Sequence, residues 1–442
     1  MSGSSASPRT RSRRPEPARA AVVRMTRETV VRRVPFFASA ELERIEDAAL
    51  RILAEIGIRV GEKEAFDRLV RAGHRASGDR ILIDRPVAAR WIAEERDRNG
   101  RRPPDAQEPP ETGPIRLEVS QYPLNVHEPG TDRIVPFTTA ALARATRLLD
   151  VLADRGVATS PAGAPADVPA PIQSVAAYWA AATYARTGRA PVDPKNEEAV
   201  PFVFAMAEAL GSPVTSLPVY LFSPLALEGE SLRIALRHRG RLAGVSVNGM
   251  PAAGQTAPIH LADAFALSAA ETIGCALLVR DLLALPVWWH VDLYPADLRT
   301  MAMIFGSPEN FLLQLMTREV DAFFHGRAWS PGAGNLHTFA KTPGPQANAE
   351  RASLMTAGAL LGCRRFEGIG TIGMDEVHSS EQLLYDVEIR DHVTRLVAEN
   401  DLACDVERCL ADVAEGVRAH GFTALETTGD AYRGVYWHPR LF

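Results

Sequence analysis

The chain has 442 residues, of which 46% are hydrophobic and 23% charged, with a formal net charge of −5 and a pI near 6.2. That length can bury a large core, and the composition is that of an ordinary globular enzyme. The acidic balance, with Lys and Arg interspersed among Asp and Glu, excludes a dominant nucleic-acid-binding surface. No apolar run is expected to be long enough to cross a bilayer, so no membrane partner is expected either. Cys275, Cys363, Cys404 and Cys409 form no CxxC pair and have no zinc-finger spacing. They are expected to be buried small hydrophobes in a reduced, cytoplasmic setting.

Residues 1–35 are rich in Ser, Pro and Arg and read as a disordered basic tail. Folding begins near Phe36. Ser39 is placed as N-cap of a helix over Glu41–Ile56, with Leu42, Ile45, Ala49, Leu53 and Ile56 on one face and Gly57 as the stop. The strand Ile58–Val60, a helix Lys63–Ala72, the strand Ile81–Ile83 and a helix Pro86–Arg96 follow. Asn99–Pro114 reads as a loop, and Ile115–Val119 with Arg133–Pro136 as a hairpin lid. Residues 36–137 are therefore expected to form a helical and short-strand extension.

From Thr138 helices and strands alternate. Strands are expected at Gly156–Ser160, Leu217–Phe222, Leu242–Val247, Val287–His290, Arg327–Trp329 and Ile369–Ile372. Helices lie between them at Ala140–Arg155, Ile172–Thr187, Glu197–Leu210, Gly229–Arg239, Leu261–Leu283 and Ser307–Phe324, and a further one opens at Asn348–Glu350. This alternation predicts an α/β fold, a TIM-type (β/α)8 barrel over residues 138–442 with C-terminal helices and a polar tail. No GxGxxG opens the first unit, which disfavours a dinucleotide-binding fold.

In such a barrel the site lies just after the strands. The residues there are Ser223, Asn248, His290, Asp292, His337, Lys341, Gln346, Asp375, Glu376 and His378. Trp288 and Trp289 precede His290 and Asp292, a set suited to a cation: indole faces attract ammonium groups and a carboxylate adds charge. His337, Lys341 and Gln346 stand on a Gly/Pro loop where they can orient a substrate or cofactor. Asp375, Glu376 and His378 form an ionisable cluster that can line the mouth. A core Trp pair and a loop of solvated charges are the bland alternatives. No HExxH, GxSxG, SxxK or P-loop is present, so no metal site, hydrolase or phosphoryl-transfer motif is available.

The chain resembles the trimethylamine methyltransferase family of corrinoid-dependent methyltransferases from about Phe36 to the C-terminus. The resemblance rests on IEDAALRILAEIGIRV near the start, Ser223–Leu225, NGMPAAGQTAPIHL at Asn248–Leu261 and the Ala-rich helix ending at Glu271. It extends through Gly306–Glu309, KTPGPQANAE at Lys341–Glu350 and SSEQLLYDVEI at Ser379–Ile389. It implies a TIM barrel that moves a methyl group from a tertiary or quaternary amine to Co(I) of a corrinoid (cobalamin). The corrinoid is carried by a partner protein, with no cofactor tightly bound to this chain. Written in standard residues only, the chain resembles the non-pyrrolysine branch, whose members act on quaternary amines such as glycine betaine.

Against the family pattern, Gly344 replaces an Asp and Arg351 a Lys. Gln255-Thr256-Ala257 stands for a Gly-rich run, and Glu426-Thr427 for a His-Thr pair.

The resulting expectation is methyl transfer from a methylated amine, by a homo-oligomer. Trp288, Trp289, His290 and Asp292 would bind the cation, with Asn248 and Ser223 beside it. The other readings are a metal-assisted lyase using Asp375, Glu376 and His378, and a non-catalytic binding protein for a cationic osmolyte.

Overall fold

Alternation of buried and open side chains defines the wall that carries the site. In Arg365–Ile369 Phe366 is buried while Arg365 and Glu367 are exposed, and in Arg116–Val119 Leu117 is buried beside an exposed Arg116. These two strands pair in parallel. Val157–Ala158 extends the sheet on one side and Gly334–Asn335 on the other, both also in parallel. A second parallel arc joins Ser216–Tyr220, Gly244–Asn248 and Val287–Trp289. Period two sends Leu217, Val219, Val245, Val247, Val287 and Trp289 to the helix side, where they join one apolar core. Ser246, Tyr220 and Trp288 take the opposite, inner side.

The computed structural model describes residues 33–103, 105–109, 111–158, 161–186, 193–398 and 403–441. Among them, parallel strands joined by covering helices make a TIM-type α/β barrel. The tail expected over residues 1–35 falls almost wholly on residues outside this set.

The long helix Leu261–Leu283 is the centre of the core. Helix Ser39–Glu55 lies on it so closely that a Cβ at Gly274 would sit 2.5 Å from Leu53 and 2.8 Å from Ile58. This contact requires glycine. The helix also corrects the expectation about apolar runs. At 23 residues it is long and apolar enough to cross a membrane, but 83% of its apolar window is buried inside the fold.

The hairpin lid is corrected too. Arg116–Val119 is a wall strand held between two parallel neighbours, and the hairpin is instead Asn125–His127 with Ile134–Pro136. Its alternation of one buried residue among polar ones looks like a surface strand because the inner face of the barrel is open. Ile56, placed on the buried face, is 49% exposed, since Gly57 (φ 73°) turns the chain away there. Cys275 and Cys363 are buried as expected, whereas Cys404 and Cys409 are exposed.

The extension is stitched to the barrel by backbone pairing. Ile58–Val60 runs antiparallel to Arg80–Leu82 and parallel to Ala226–Leu227, on the loop after Ser216–Tyr220. The chain divides into two compact units, the larger running from Val30 to Leu396. Described residues of the second form the helices Val406–Arg418 and Glu426–Val435.

One ion pair is wholly enclosed. Arg351, on helix Pro345–Leu360, and Asp386, on helix Ser380–Val397, both have 0% side-chain exposure. Arg351 also donates to the carbonyls of Gly368 (3.0 Å) and Thr371, and Asp386 accepts from Gly370 N at 2.7 Å and Gln382 Nε2 at 2.9 Å. Removing one partner strands a buried charge, which costs about 3–5 kcal/mol. Arg351→Ala is expected to lower unfolding stability by that amount in urea titration, and an unchanged midpoint would refute the role given to this pair.

Candidate active site at the C-terminal ends of the barrel strands

Several wall strands deliver polar or aromatic groups at or just past their last residue. Arg116–Val119 leads to Ser120 and Tyr122, Ser216–Tyr220 ends on Tyr220, and Val287–Trp289 leads to Asp292 and Tyr294. Gly334–Asn335 leads to His337. After Arg365–Ile369, a tight hairpin of Thr371–Ile372 with Val377–His378 carries Asp375 in its turn.

His337 and Asp375 form the ordered centre of this set. Asn335 Oδ1 accepts the His337 backbone N–H at 2.9 Å and lies 2.6 Å from ring Nδ1, which makes Nδ1 a donor. Nε2 lies 2.6 Å from the Asp375 carboxylate. Both ring nitrogens are therefore engaged by oxygen atoms of neighbouring side chains. Burial pushes the Asp375 carboxyl upward. The His337 hydrogen bond and charge, Ser120 and Arg351 outweigh it and hold the group below its ordinary value. Gly368 (φ 80°) lies under the imidazole, where a Cβ would be 2.7 Å from the ring. Phe305 closes the other side, with ring centroids 5.4 Å apart.

A second constellation was missed by the sequence reading. Tyr220 Oη donates to Asp193 Oδ2 at 2.8 Å, and Tyr122 Oη lies 3.5 Å from the same oxygen and 3.4 Å from Tyr220 Oη. Burial, then the Asp193 charge, pushes the Tyr220 phenol well above its ordinary value. Tyr122, raised chiefly by burial, also feels Asp193 and Asp375. Tyr294 is raised by burial and by Asp292, Glu367 and Asp375 together. The site thus combines three phenols with several carboxylates. The signal that could have found it was positional, since Tyr122 and Tyr220 sit at strand ends. Reading Arg116–Val119 as a lid concealed the first of them.

The expected residues fare unevenly. His337 and Asp375 meet. Lys341 is exposed with Nζ 5.1 Å from the Phe339 ring centroid, and Glu376 is exposed on the same turn as Asp375. Gln346 is spent on Glu350 at 2.7 Å, within its own helix. Asn248 donates to Ser246 Oγ at 3.0 Å, and Ser223 donates to the buried Glu271 carboxylate, which also takes Leu225 N at 2.7 Å. His290 and Asp292 line a cavity of about 420 Å³ with Glu108, Arg318, Arg327 and Glu367. Burial raises the Asp292 carboxyl against the pull of Arg318 and His290.

The paired Trp wall is corrected. Adjacent strand residues face opposite ways, so Trp288 is 51% exposed on the inner side, while Trp289 is 2% exposed and packs on His325 with centroids 4.1 Å apart. His378 is corrected as well: it is fully buried, stacked on Phe137 at 5.7 Å, and does not line the mouth. Among the described residues no group of three or more His, Cys, Asp or Glu could hold a metal ion. The Asp375, Glu376 and His378 set therefore lacks the geometry of a metal-assisted lyase.

Burial lowers the His378 imidazole to about 4, against about 6.5 in an unfolded chain. Between those values the unfolded chain binds the extra proton, so stability falls as pH drops from about 6.5 to 4. His378→Gln cannot charge. Its urea stability is expected to lose up to about 3 kcal/mol less than the parent across that window, and parallel curves would refute this.

With this geometry in hand, the comparisons place the chain. A family model described as Trimethylamine methyltransferase (MTTB) matches residues 6–442. No curated protein matches. The monomethylamine methyltransferase (MtmB) of Methanosarcina barkeri shares 12% identity, with 90% of this chain and 81% of that one covered at a TM-score of 0.46. The hydroxylamine MtmB complex shares 13%, with 82% and 81% covered at 0.39. At those scores the likeness to solved structures carries no argument, and the family match stands by itself. The chain belongs to the trimethylamine methyltransferase family.

Proposed function

We propose that this protein takes a methyl group from a cationic methylated amine, tertiary or quaternary, and passes it to a corrinoid presented by a partner protein. The observation that carries the reading is the Tyr122–Asp193–Tyr220 constellation, whose Tyr122 feels the charge of Asp375 in the His337–Asp375 pair. A quaternary ammonium has no N–H to donate. It is recognised by aromatic rings and nearby carboxylates, and those are the groups gathered here. Tyr294 and Asp292 extend the same chemistry.

The reaction asks little covalent work of the protein. A reduced corrinoid supplies a strong nucleophile that accepts the methyl group. The chain must bind the cation, aim one N–CH3 bond at the mouth and limit water around it. The Asp193 carboxylate holds the positive charge while the phenols fix its position. His337, held between Asn335 and Asp375, keeps the Asp375 carboxylate in place as a second negative charge for the cation. No residue need act as nucleophile, in keeping with the missing nucleophile motifs.

The mouth also fits a large, largely apolar acceptor. Loops following the strands expose Leu124 (44%), Phe222 (53%), Met250 (50%), Leu298 (50%) and Met301 (65%). Such apolar rims on a protein surface mark contact sites. A corrin ring with its carrier would be received here, with its face toward the cation.

The test is methyl transfer to cob(I)alamin, read by absorbance, from a panel of trimethylamine, glycine betaine and other methylated amines. At least one is expected to react. Asp193→Asn is expected to reduce kcat/KM about tenfold or more, with the fold retained. Absence of transfer from every amine, with free cobalamin and with a corrinoid protein alike, would sink the proposal.

A further inference from the structure

We propose that the C-terminal helix Val406–Arg418 pairs antiparallel with the same helix of a second copy of this chain. Asp405 caps it, accepting Arg408 N at 3.0 Å, so it begins with a stable first turn. Of its residues only Gly416 is buried. Helices of this length are marginal in water unless an apolar face is packed. This one has such a face. Val406, Leu410, Val413 and Val417 are 60%, 62%, 46% and 65% exposed, and their 4-3-4 spacing is that of a two-helix seam.

The spacing also names the occupant. It is symmetric about the midpoint between Leu410 and Val413. An antiparallel copy sets Val406 against Val417 and Leu410 against Val413, then repeats both contacts by the two-fold axis. One edge of the stripe carries Glu407 near its start and Arg418 at its end. Antiparallel pairing brings Glu407 of one copy beside Arg418 of the other, twice. Within one helix the two are separated by about 16 Å of rise and cannot meet. Parallel pairing leaves both charges unmatched. On the other edge Phe422 lies on Gly416, where a Cβ would be 2.3 Å from its ring; Phe422 is itself 49% exposed and widens the apolar surface.

A seam of four residues per copy is small beside the roughly 800 Å² per partner of a stable complex. The association is therefore weak and concentration-dependent.

Sedimentation of the full chain over a concentration series tests this. Self-association is expected, and Leu410→Asp should weaken it at least tenfold while the thermal melt of the larger unit is unchanged. Glu407→Arg should weaken it several-fold, and Glu407→Arg with Arg418→Glu should restore it. That rescue distinguishes antiparallel pairing from loss of helix. A chain monomeric at every concentration overturns the proposal, as does association indifferent to Leu410→Asp. Hydrogen-exchange protection of 406–418 in a monomer overturns it too, since the stripe would then be covered by its own chain.

Discussion

The enclosed Arg351–Asp386 pair is the constraint on which the site side of the barrel depends. Neither charge has water, so each must be satisfied by the fold, and every group that does so is an element of the site's support. Arg351 takes the carbonyls of Gly368 and Thr371, and Asp386 takes the amide of Gly370. Those contacts fix the turn where the strand Arg365–Ile369 gives way to the Thr371–His378 hairpin. The same turn places Gly368 under the His337 ring and Asp375 against its Nε2. The charge of Arg351 also reaches Asp375 and helps keep it ionised. One buried pair thus links two helices, a strand end and the ordered centre of the site.

Much of the scaffold was legible because its signals are local. The strands at 217–222, 242–247 and 287–290 have dense β-branched and aromatic character, and the observed strands lie within a residue or two of each. Ser307-Pro308-Glu309 announces a helix, and Ser307 indeed caps it, accepting Asn310 N at 3.1 Å. The first wall strand was legible as a strand, but its place in the wall was not. RLEV has charges on its inner side, and nothing local says that a barrel will enclose them with water rather than leave them on an outer surface. Its identity is set by Arg365–Ile369, almost 250 residues later.

The site was legible by halves for the same reason. His337 and Asp375 were selected separately, each for its place after a strand, and their meeting is a property of the turn that Arg351 holds. Asp193, Tyr122 and Tyr220 come from three separate segments of the chain, and no spacing rule joins them. Trp288-Trp289 shows the opposite failure. Adjacent residues invite a joint reading, but a strand assigns neighbours to opposite faces, so one ring looks into the barrel and the other locks His325 in the core.

The two departures in the segment carrying the resemblance now have physical explanations. Gly344 precedes helix Pro345–Leu360 with φ 122° and ψ −141°, a conformation that side chains avoid and glycine accepts. An aspartate there would cap the helix through its carboxylate, whereas Gly344 gives no side-chain cap and its amide is taken by Gln382 Oε1 at 3.2 Å. Gln382 in turn holds Asp386, so the loop is tied into the ion-pair network from outside the helix. Arg351 completes that exchange. Its planar fork reaches a carboxylate and two carbonyls at once, which a lysine ammonium on a flexible stem does not reproduce. The two residues belong to one arrangement, with the cap surrendered at Gly344 and the connection made through Gln382, Asp386 and Arg351. Both act beneath the site, on how the hairpin bearing Asp375 is held. The proposed contacts to the amine come instead from Tyr122, Asp193, Tyr220 and Tyr294.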